Sequence, residues 1–480
     1  MADHCFADTL LECLIDQRTL FLPWILTSGL ILGSLVIWVD ADDLLVGVVI
    51  FCLIGLVAAG ATMVHRTDDP LHPLVLLLAV GAARFIVPWS LILAGQGDDP
   101  TLRAMGIASP AWNLAAAYTV LGLLAMALAF WMRSNTMPTV EPNTPIGSAT
   151  MPLVVAGVGL VGIATYFLAN APASEVVHGG FRRVEVQEGS GIYFYLSLLL
   201  IPSAVLLTDI LLRLGSHWLV SVVPVLIAGA AYFTLGGRAR AVTPIVAGLL
   251  AVWYRRRSHI RRRKLLLMAA LSVLALLWLG FLGDRYRGGE GLRALGPALQ
   301  MQGFVEYLQG AALTDVGQLH GMAGAIELGP ASLEGQTFLT ALTWPASAIL
   351  GLPGRSVGVM VVEETMHLQS PGWGFHASII GEAYANFGPL GVLVGGVFLG
   401  FLGAAIYRRF RLGTLPLFIY SLVVVYLVRI FFESVQKWPE ALIVIATAVL
   451  MEAVSQRGRQ PDRAALPRAE PSSSTSRARA

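Results

Sequence analysis

Long apolar segments alternate with short polar ones along most of the chain, and this alternation predicts transmembrane helices. Nearly all of the apolar segments are about 17 to 25 residues long, the length that a helix needs to cross a bilayer. We expect about twelve spans, of which the eighth is the shortest. Their approximate bounds are 20–39, 44–64, 72–95, 112–132, 151–169, 191–212, 217–235, 241–254, 265–283, 388–407, 413–434 and 438–454.

The overall composition agrees with this pattern. Of the 480 residues, 56% are hydrophobic and only 13% are charged, and the mean hydropathy is +0.71. A water-soluble domain cannot bury so much apolar surface. The sequence therefore predicts an all-α polytopic membrane protein, with one transmembrane helical domain over residues 1–454. The Arg-, Pro- and Ser-rich segment 455–480 is expected to be a disordered cytoplasmic tail.

Basic residues predict how the spans are oriented. The densest basic run lies between residues 255 and 264, so this loop is expected to face the cytoplasm. Counting spans from this loop puts 20 Lys and Arg residues inside and 10 outside, and it puts both termini in the cytoplasm. One large loop, at about 284–387, then falls on the outer face. The net charge of +2 gives no indication of nucleic-acid binding.

The segment 371–411 puts polar side chains directly before an apolar, glycine-rich helix. Pro suits the first turn of a helix, so Pro389 is expected to open span ten, with a short helix or re-entrant piece before it. His376 and Glu382 lie in that piece, where polar groups are costly unless they are satisfied or used. They either form an interfacial hydrogen-bond pair or supply a base or substrate-orienting group. Being six positions apart, they share a helix face only if the backbone bends.

Arginines form a second group of candidates. Arg238 and Arg240 follow two glycines at the outer start of span eight, where free N–H groups and the helix dipole favour anions. Arg84 lies within span three, and an intramembrane arginine is a functional hypothesis by default. Arg84 and Arg238 each either bind an anion or pair with an internal acceptor, and Arg240 either binds an anion or only caps the loop. Arg429 and Glu433 are four positions apart in span eleven, and we expect them to satisfy each other.

Two further patterns are predicted to have ordinary roles. Span ten has two small-xxx-small spacings, which allow close helix packing, at Gly391/Gly395 and Gly396/Gly400. The outer loop contains a Glu-x-x-His, formed by Glu364 and His367, whereas a carboxylate-bridged dimetal site needs such a motif from each of two helices together with further glutamates. We therefore expect solvated loop charges there, and no metal site or cofactor.

Three stretches together resemble bacterial O-antigen polymerases, also called oligosaccharide repeat-unit polymerases: GFHASIIGEAYANFGPLGVLVGG, GGRAR and TWPASAILGLPG. That family is similar in having about a dozen spans and one large outer loop late in the chain. The resemblance implies the fold of the lipid-phosphate-dependent polytopic glycosyltransferases, in the bacterial inner membrane. It implies a metal-independent, inverting glycosyl transfer at the periplasmic face, in which a glycan on undecaprenyl diphosphate moves onto a new lipid-linked repeat unit. A chain-length regulator protein is a possible partner.

With this chemistry, the candidate residues take expected roles. Arginines would neutralise the charge that develops on the lipid diphosphate; the candidates are Arg238, Arg240 and Arg84. Glu382 or His376 would act as the base for the acceptor hydroxyl, and Arg182 and Arg183 would hold a second diphosphate. Three alternatives stay open: an O-antigen ligase, a secondary transporter or flippase for lipid-linked glycans, and a non-catalytic membrane assembly factor. A transporter would be expected to have two similar halves, which this sequence lacks.

Overall fold

The fold was analysed in a computed structural model of the full chain. The structure describes residues 25–34, 42–93, 109–133, 149–169, 191–234, 238–256, 319–343, 357–365 and 376–457, together with the single positions 278, 281 and 346. Throughout these ranges the secondary structure consists of helices, and no strand occurs in them. The predicted all-α polytopic class is confirmed.

The helices are numbered here in chain order over the described ranges. The first half of the chain contains α1 (Ile25–Ser34), α2 (Asp42–Thr67), α3 (Pro73–Leu93), α4 (Ser109–Arg133), α5 (Thr150–Ala169), α6 (Gly191–Ser197), α7 (Leu200–Arg213), α8 (Trp218–Ser221), α9 (Val223–Thr234) and α10 (Arg238–Arg256). The second half contains α11 (Leu319–Glu327), α12 (Gln336–Leu342), α13 (Val357–Met360), α14 (Ser378–Arg411), α15 (Leu417–Phe432) and α16 (Trp438–Arg457). A short 3₁₀ turn, Val435–Lys437, leads from α15 into α16.

Among the described helices, six are long and apolar enough to cross a membrane: Leu45–Thr67, Pro73–Leu93, Pro110–Arg133, Tyr193–Arg213, Ser378–Arg411 and Trp438–Ser455. Four shorter apolar helices, Ile25–Ser34, Thr150–Tyr166, Trp218–Phe233 and Leu417–Phe432, coincide with further predicted spans. The eighth predicted span is the helix α10. The ninth, 265–283, falls outside the described residues apart from positions 278 and 281.

Helix α4 lies at the centre of the bundle and packs closely against α14. In its apolar window 83% of the residues are buried, which is the largest share among the six long helices. Glycines let the two backbones approach: a Cβ on Gly396 would lie 2.5 Å from the carbonyl oxygen of Gly122, and one on Gly400 would clash with that of Met126. The predicted packing role of this glycine pair is confirmed, because any side chain there would push the helices apart.

Helix α14 consists of two helices joined at a kink. Gly388 has φ 67° and ψ −161°, a backbone conformation that is essentially restricted to glycine, and Pro389 follows it. The predicted break at this dipeptide is confirmed. Residues Ser378 to Asn386, before the kink, are buried in protein, so this polar piece is shielded from lipid. Its carbonyl groups also accept hydrogen bonds from the segment between α11 and α12, from the N–H of Ala331 to Tyr384 O and from that of Leu333 to Ala385 O.

Polar side chains gather at the two ends of the bundle. At one end, buried Asp69 accepts hydrogen bonds from the hydroxyls of Tyr254 and Tyr407, at 2.8 and 3.0 Å, which ties the connection between α2 and α3 to α10 and α14. At the opposite end of these helices, charged groups from α3, α10, α15 and α16 come together. We call this second group the arginine cluster; it comprises Arg84, Arg240, Arg429, Glu433, Lys437 and Glu440.

Candidate functional site

Arg429 is the centre of the arginine cluster, and its guanidinium group is almost fully satisfied. Its Nε and Nη2 donate to the two carboxylate oxygens of Glu433, at 2.9 and 3.1 Å. Its Nη1 donates to Oε1 of Glu440, at 2.5 Å, and to the hydroxyl of Thr243, at 3.2 Å. All three charged side chains are buried. The predicted pairing of Arg429 with Glu433 is confirmed, and the geometry makes Arg429 a structural bridge between α10, α15 and α16.

Arg240 joins the cluster from the first turn of α10. Its Nε donates to Oε2 of Glu440 at 3.1 Å, and its guanidinium carbon lies 4.1 Å from the centre of the Phe194 ring, a cation–π distance. The side chain of Arg240 is 23% exposed, whereas that of Glu440 is 6% exposed. The arginine therefore reaches from a buried carboxylate toward the surface of the bundle end.

Arg84 enters the cluster from a π-helical turn, Ala82–Ile86, that interrupts α3. Single π-turns inside α-helices are frequent at functional sites. The guanidinium carbon of Arg84 lies 5.8 Å from the centre of the Phe432 ring. The positive charge of the group is attracted by Glu433 and repelled by Arg429. No hydrogen bond joins it to another described residue. Arg84 therefore differs from Arg429, whose guanidinium group is hydrogen-bonded to described residues on three helices or turns.

The charges of the arginine cluster do not cancel. Three arginines and Lys437 face the two carboxylates Glu433 and Glu440, an excess of two positive charges within the cluster, which an ionised Glu382 beside it reduces to one. Lys437 extends the cluster at its edge, with its Nζ 3.5 Å from Oε2 of Glu433. An uncompensated cationic excess at the end of a membrane bundle favours an anionic ligand.

Glu382 lies beside the cluster and holds the turn between α15 and α16. Its Oε1 accepts from the Ser434 hydroxyl and its Oε2 from the Val435 N–H, both at 2.7 Å, and the residue is 1% exposed. Both oxygens are thus used within the protein. This turn carries Glu433 on one side and Lys437 on the other, so Glu382 positions two members of the cluster.

His376 precedes α14 and has an exposed side chain. Desolvation by the surrounding protein atoms is the largest effect and lowers the pKa of His376 to about 4. The carboxylate of Glu433 opposes this shift, and the positive charge of Lys437 adds to it. With the lowered or with an ordinary pKa, the imidazole is mainly neutral near pH 7 and can accept a proton. His376 is therefore an exposed residue within electrostatic range of the arginine cluster.

The other predicted site residues are only partly described. Arg238 is the first residue of α10, and the structure describes its backbone position but not its side chain. Arg182 and Arg183 lie outside the described residues, as does His367. Within the described ranges no group of three or more His, Cys, Asp or Glu side chains is arranged to hold a metal ion.

Glu440 and Lys437 are cluster members that the sequence reasoning missed. Their signal was present in the chain, since both are charged residues at the start of the predicted span twelve, just after Arg429 and Glu433. Charged residues at a span end are common as interfacial anchors, however, and only the tertiary contacts distinguish these two from anchors.

Residues 360–455 match a family model described as O-antigen polysaccharide polymerase Wzy. These residues include His376, Glu382 and, apart from Arg84 and Arg240, every member of the arginine cluster. The resemblance predicted from the sequence is confirmed over this part of the chain, and the match supports a role as a membrane-bound, glycosyltransferase-type O-antigen polymerase. No curated protein and no solved structure matches the chain significantly.

Proposed function

We propose that this chain, whose residues 360–455 match the O-antigen polymerase family, polymerises undecaprenyl-diphosphate-linked oligosaccharide repeat units. The glycan made is O-antigen or a related exopolysaccharide. The arginine cluster carries the proposal, because its excess of positive charge fits the diphosphate that leaves during glycosyl transfer. The cluster end faces the periplasm of the bacterial inner membrane in this proposal. The arginine-rich ends of α10 and α14, on the opposite side, support a cytoplasmic orientation there.

The proposed reaction is a single inverting displacement at the anomeric carbon of the growing glycan. A hydroxyl of the incoming repeat unit attacks that carbon, the bond from the carbon to the diphosphate oxygen breaks, and the lipid diphosphate leaves with the electron pair. His376 accepts the proton of the attacking hydroxyl, because it is the exposed and mainly neutral group beside the cluster. Glu382 acts as a positioning residue, since both of its oxygens already accept hydrogen bonds.

Guanidinium groups neutralise the leaving diphosphate in this scheme, so that the transfer needs no metal ion. Arg84 is the first candidate, because its donors have no acceptor among the described residues. Arg240 is the second, and Arg238 at the same helix start is a third. A guanidinium group binds two phosphate oxygens at once, which a lysine cannot do. Arg182 and Arg183 remain proposed ligands for the diphosphate of the acceptor lipid.

The experiment that tests the function uses the purified full-length protein in lipid nanodiscs. It is incubated with undecaprenyl-diphosphate-linked repeat units and the products are separated on a gel. A ladder supports a polymerase, whereas a single shift onto lipid A–core would identify a ligase. Transbilayer movement without any new product would identify a carrier. Adding a chain-length regulator is expected to narrow the ladder without changing its spacing.

Two variants link the ladder to the site. Arg84→Met and His376→Gln are each expected to lower the initial rate at least tenfold, because a lost charge-assisted hydrogen bond or general base costs about this much. The matched control is Arg66→Met, an arginine at the opposite end of the bundle that contacts the Trp131 ring. A ladder that forms at the wild-type rate in both site variants would contradict the assignment.

A further inference from the structure

Glu440 divides one buried carboxylate between two arginines. Its Oε1 accepts from Nη1 of Arg429, at 2.5 Å, and from the hydroxyl of Tyr426, at 3.1 Å. Its Oε2 accepts from Nε of Arg240, at 3.1 Å. Because Arg429 is fixed by Glu433 and Thr243 as well, the position of this carboxylate is set by the buried bridge. Glu440 therefore presents a fixed acceptor to Arg240.

Arg240 is held on one edge and one face. The Nε edge is used by Glu440, and one face of the guanidinium group lies over Phe194. The two terminal nitrogens make no hydrogen bond to any other described residue. A guanidinium group held by its Nε keeps two parallel terminal donors, which is the geometry that binds two phosphate oxygens together.

We propose that Glu440 is a positioning residue, which acts through Arg240 by orienting its two terminal nitrogens toward a lipid diphosphate. The ring of Phe194 supports the same orientation, because it packs against one face of the Arg240 guanidinium group. The inference rests on the proposed function, since it takes the diphosphate of the glycan donor as the ligand. It adds a specific division of labour, in which Arg429 and Glu440 order the site and Arg240 contacts the substrate.

A double-mutant cycle tests the proposal with farnesyl diphosphate as the probe. Binding to the full-length protein in detergent micelles is measured by calorimetry for the wild type, Glu440→Gln, Arg240→Met and the double variant. Each single variant is expected to raise the Kd about tenfold, the loss expected for a charge-assisted contact. The double variant is expected to raise it about tenfold as well, whereas independent residues would give about a hundredfold.

Phe194→Leu provides a second test that leaves the buried carboxylates intact. It is expected to raise the Kd about fivefold, and to add nothing once Arg240 is replaced. Glu452→Gln, on the far part of α16, is the control and is expected to leave the Kd unchanged. Melting temperatures are measured alongside, so that a Glu440→Gln protein that fails to fold is recognised; Glu440→Asp, which keeps the charge but withdraws the carboxylate from Arg240, then replaces it in the cycle with the same expected Kd values.

The outcomes separate this inference from the proposed function. A hundredfold effect in the double variant, or a wild-type Kd in Glu440→Gln, overturns the positioning role even if the protein makes a polymer ladder. A wild-type protein that does not bind farnesyl diphosphate also overturns it. Absence of a ladder from lipid-linked repeat units, in contrast, refutes the proposed function itself.

Discussion

Replacing Arg429 by Met is expected to destabilise the protein strongly, because among the described residues it is the cation that forms ion pairs directly with both buried carboxylates, Glu433 and Glu440. Arg429 makes two hydrogen bonds to Glu433 and one to Glu440, and all three residues are less than 9% exposed. Methionine fills a similar volume but offers no donor. The perturbation therefore leaves two buried negative charges without their shared partner.

The size of the effect follows from what stays behind. Removing one partner of a buried ion pair typically costs about 3–5 kcal/mol. Here each carboxylate keeps a second cation, since Arg240 stays 3.1 Å from Glu440 and Lys437 stays 3.5 Å from Glu433. We therefore expect a loss at the lower end of that range, about 3 kcal/mol in the free energy of unfolding.

Unfolding of the purified protein in mixed micelles, followed by circular dichroism against increasing dodecyl sulfate, measures this loss. Arg84→Met is the matched comparison, because Arg84 lies in the same cluster without a hydrogen bond to another described residue. It is expected to cost less than about 1 kcal/mol of stability, the value of a cation–π contact, while lowering activity. Equal stability of Arg429→Met and the wild type, or an equal loss in both variants, would refute the reasoning.

Three further predictions concern packing, a buried carboxylate and pH. Gly400→Val is expected to lower the free energy of unfolding by about 1–3 kcal/mol, as overpacking does, because its Cβ would clash with the backbone carbonyl of Met126 in α4. In the same unfolding assay the control Gly395→Ala should cost almost nothing, because its Cβ meets only another Cβ, at 3.7 Å. Asp69→Asn should lower the free energy of unfolding by about 1–3 kcal/mol, because the buried carboxylate that accepts hydrogen bonds from two tyrosine hydroxyls is replaced by an amide. The control Asp68→Asn changes an exposed residue and should leave the stability unchanged. Equal losses in the two variants would contradict this reasoning. With its pKa lowered to about 4, His376 stays neutral until well below pH 6.5, so the initial rate of polymerisation should fall only as the pH drops toward about 4. In His376→Gln this fall in rate at acidic pH should disappear. A wild-type rate that is already half-maximal at pH 6.5 would be inconsistent with His376 as the base.

Local features of the chain were predictable because their physical causes are local. A bilayer about 30 Å thick demands about 20 apolar residues for each helix, so the spans can be recognised from segment length alone. The kink in α14 was predictable from Gly388 and Pro389, since backbone geometry at these residues depends little on distant neighbours. The Arg429–Glu433 pair was predictable because residues four apart lie on the same face of a helix.

The hydrogen-bond partners of Glu382 could not be predicted in the same way. The sequence left its carboxylate as a candidate base or as a partner of His376. In the structure it accepts from Ser434 and Val435, which are more than fifty positions away along the chain. A buried carboxylate accepts from whichever donors the fold brings to it, and sequence spacing carries no information about them. The approach of Arg240 to Glu440, across 200 positions, was missed for the same reason.

The sequence by itself therefore determined the membrane class, the approximate spans, the helix break and the set of charged residues available near the span ends. Only the tertiary structure decided which of these charges face one another. It made Arg429 a satisfied bridge and placed the carboxylate of Glu382 on the turn before α16, and it left Arg84 and the terminal nitrogens of Arg240 without a hydrogen bond to another described residue. The physical reason is that a charge buried in a bundle must find its counter-charge on another helix. Helix packing, which depends on side chains far apart in the chain, selects that partner.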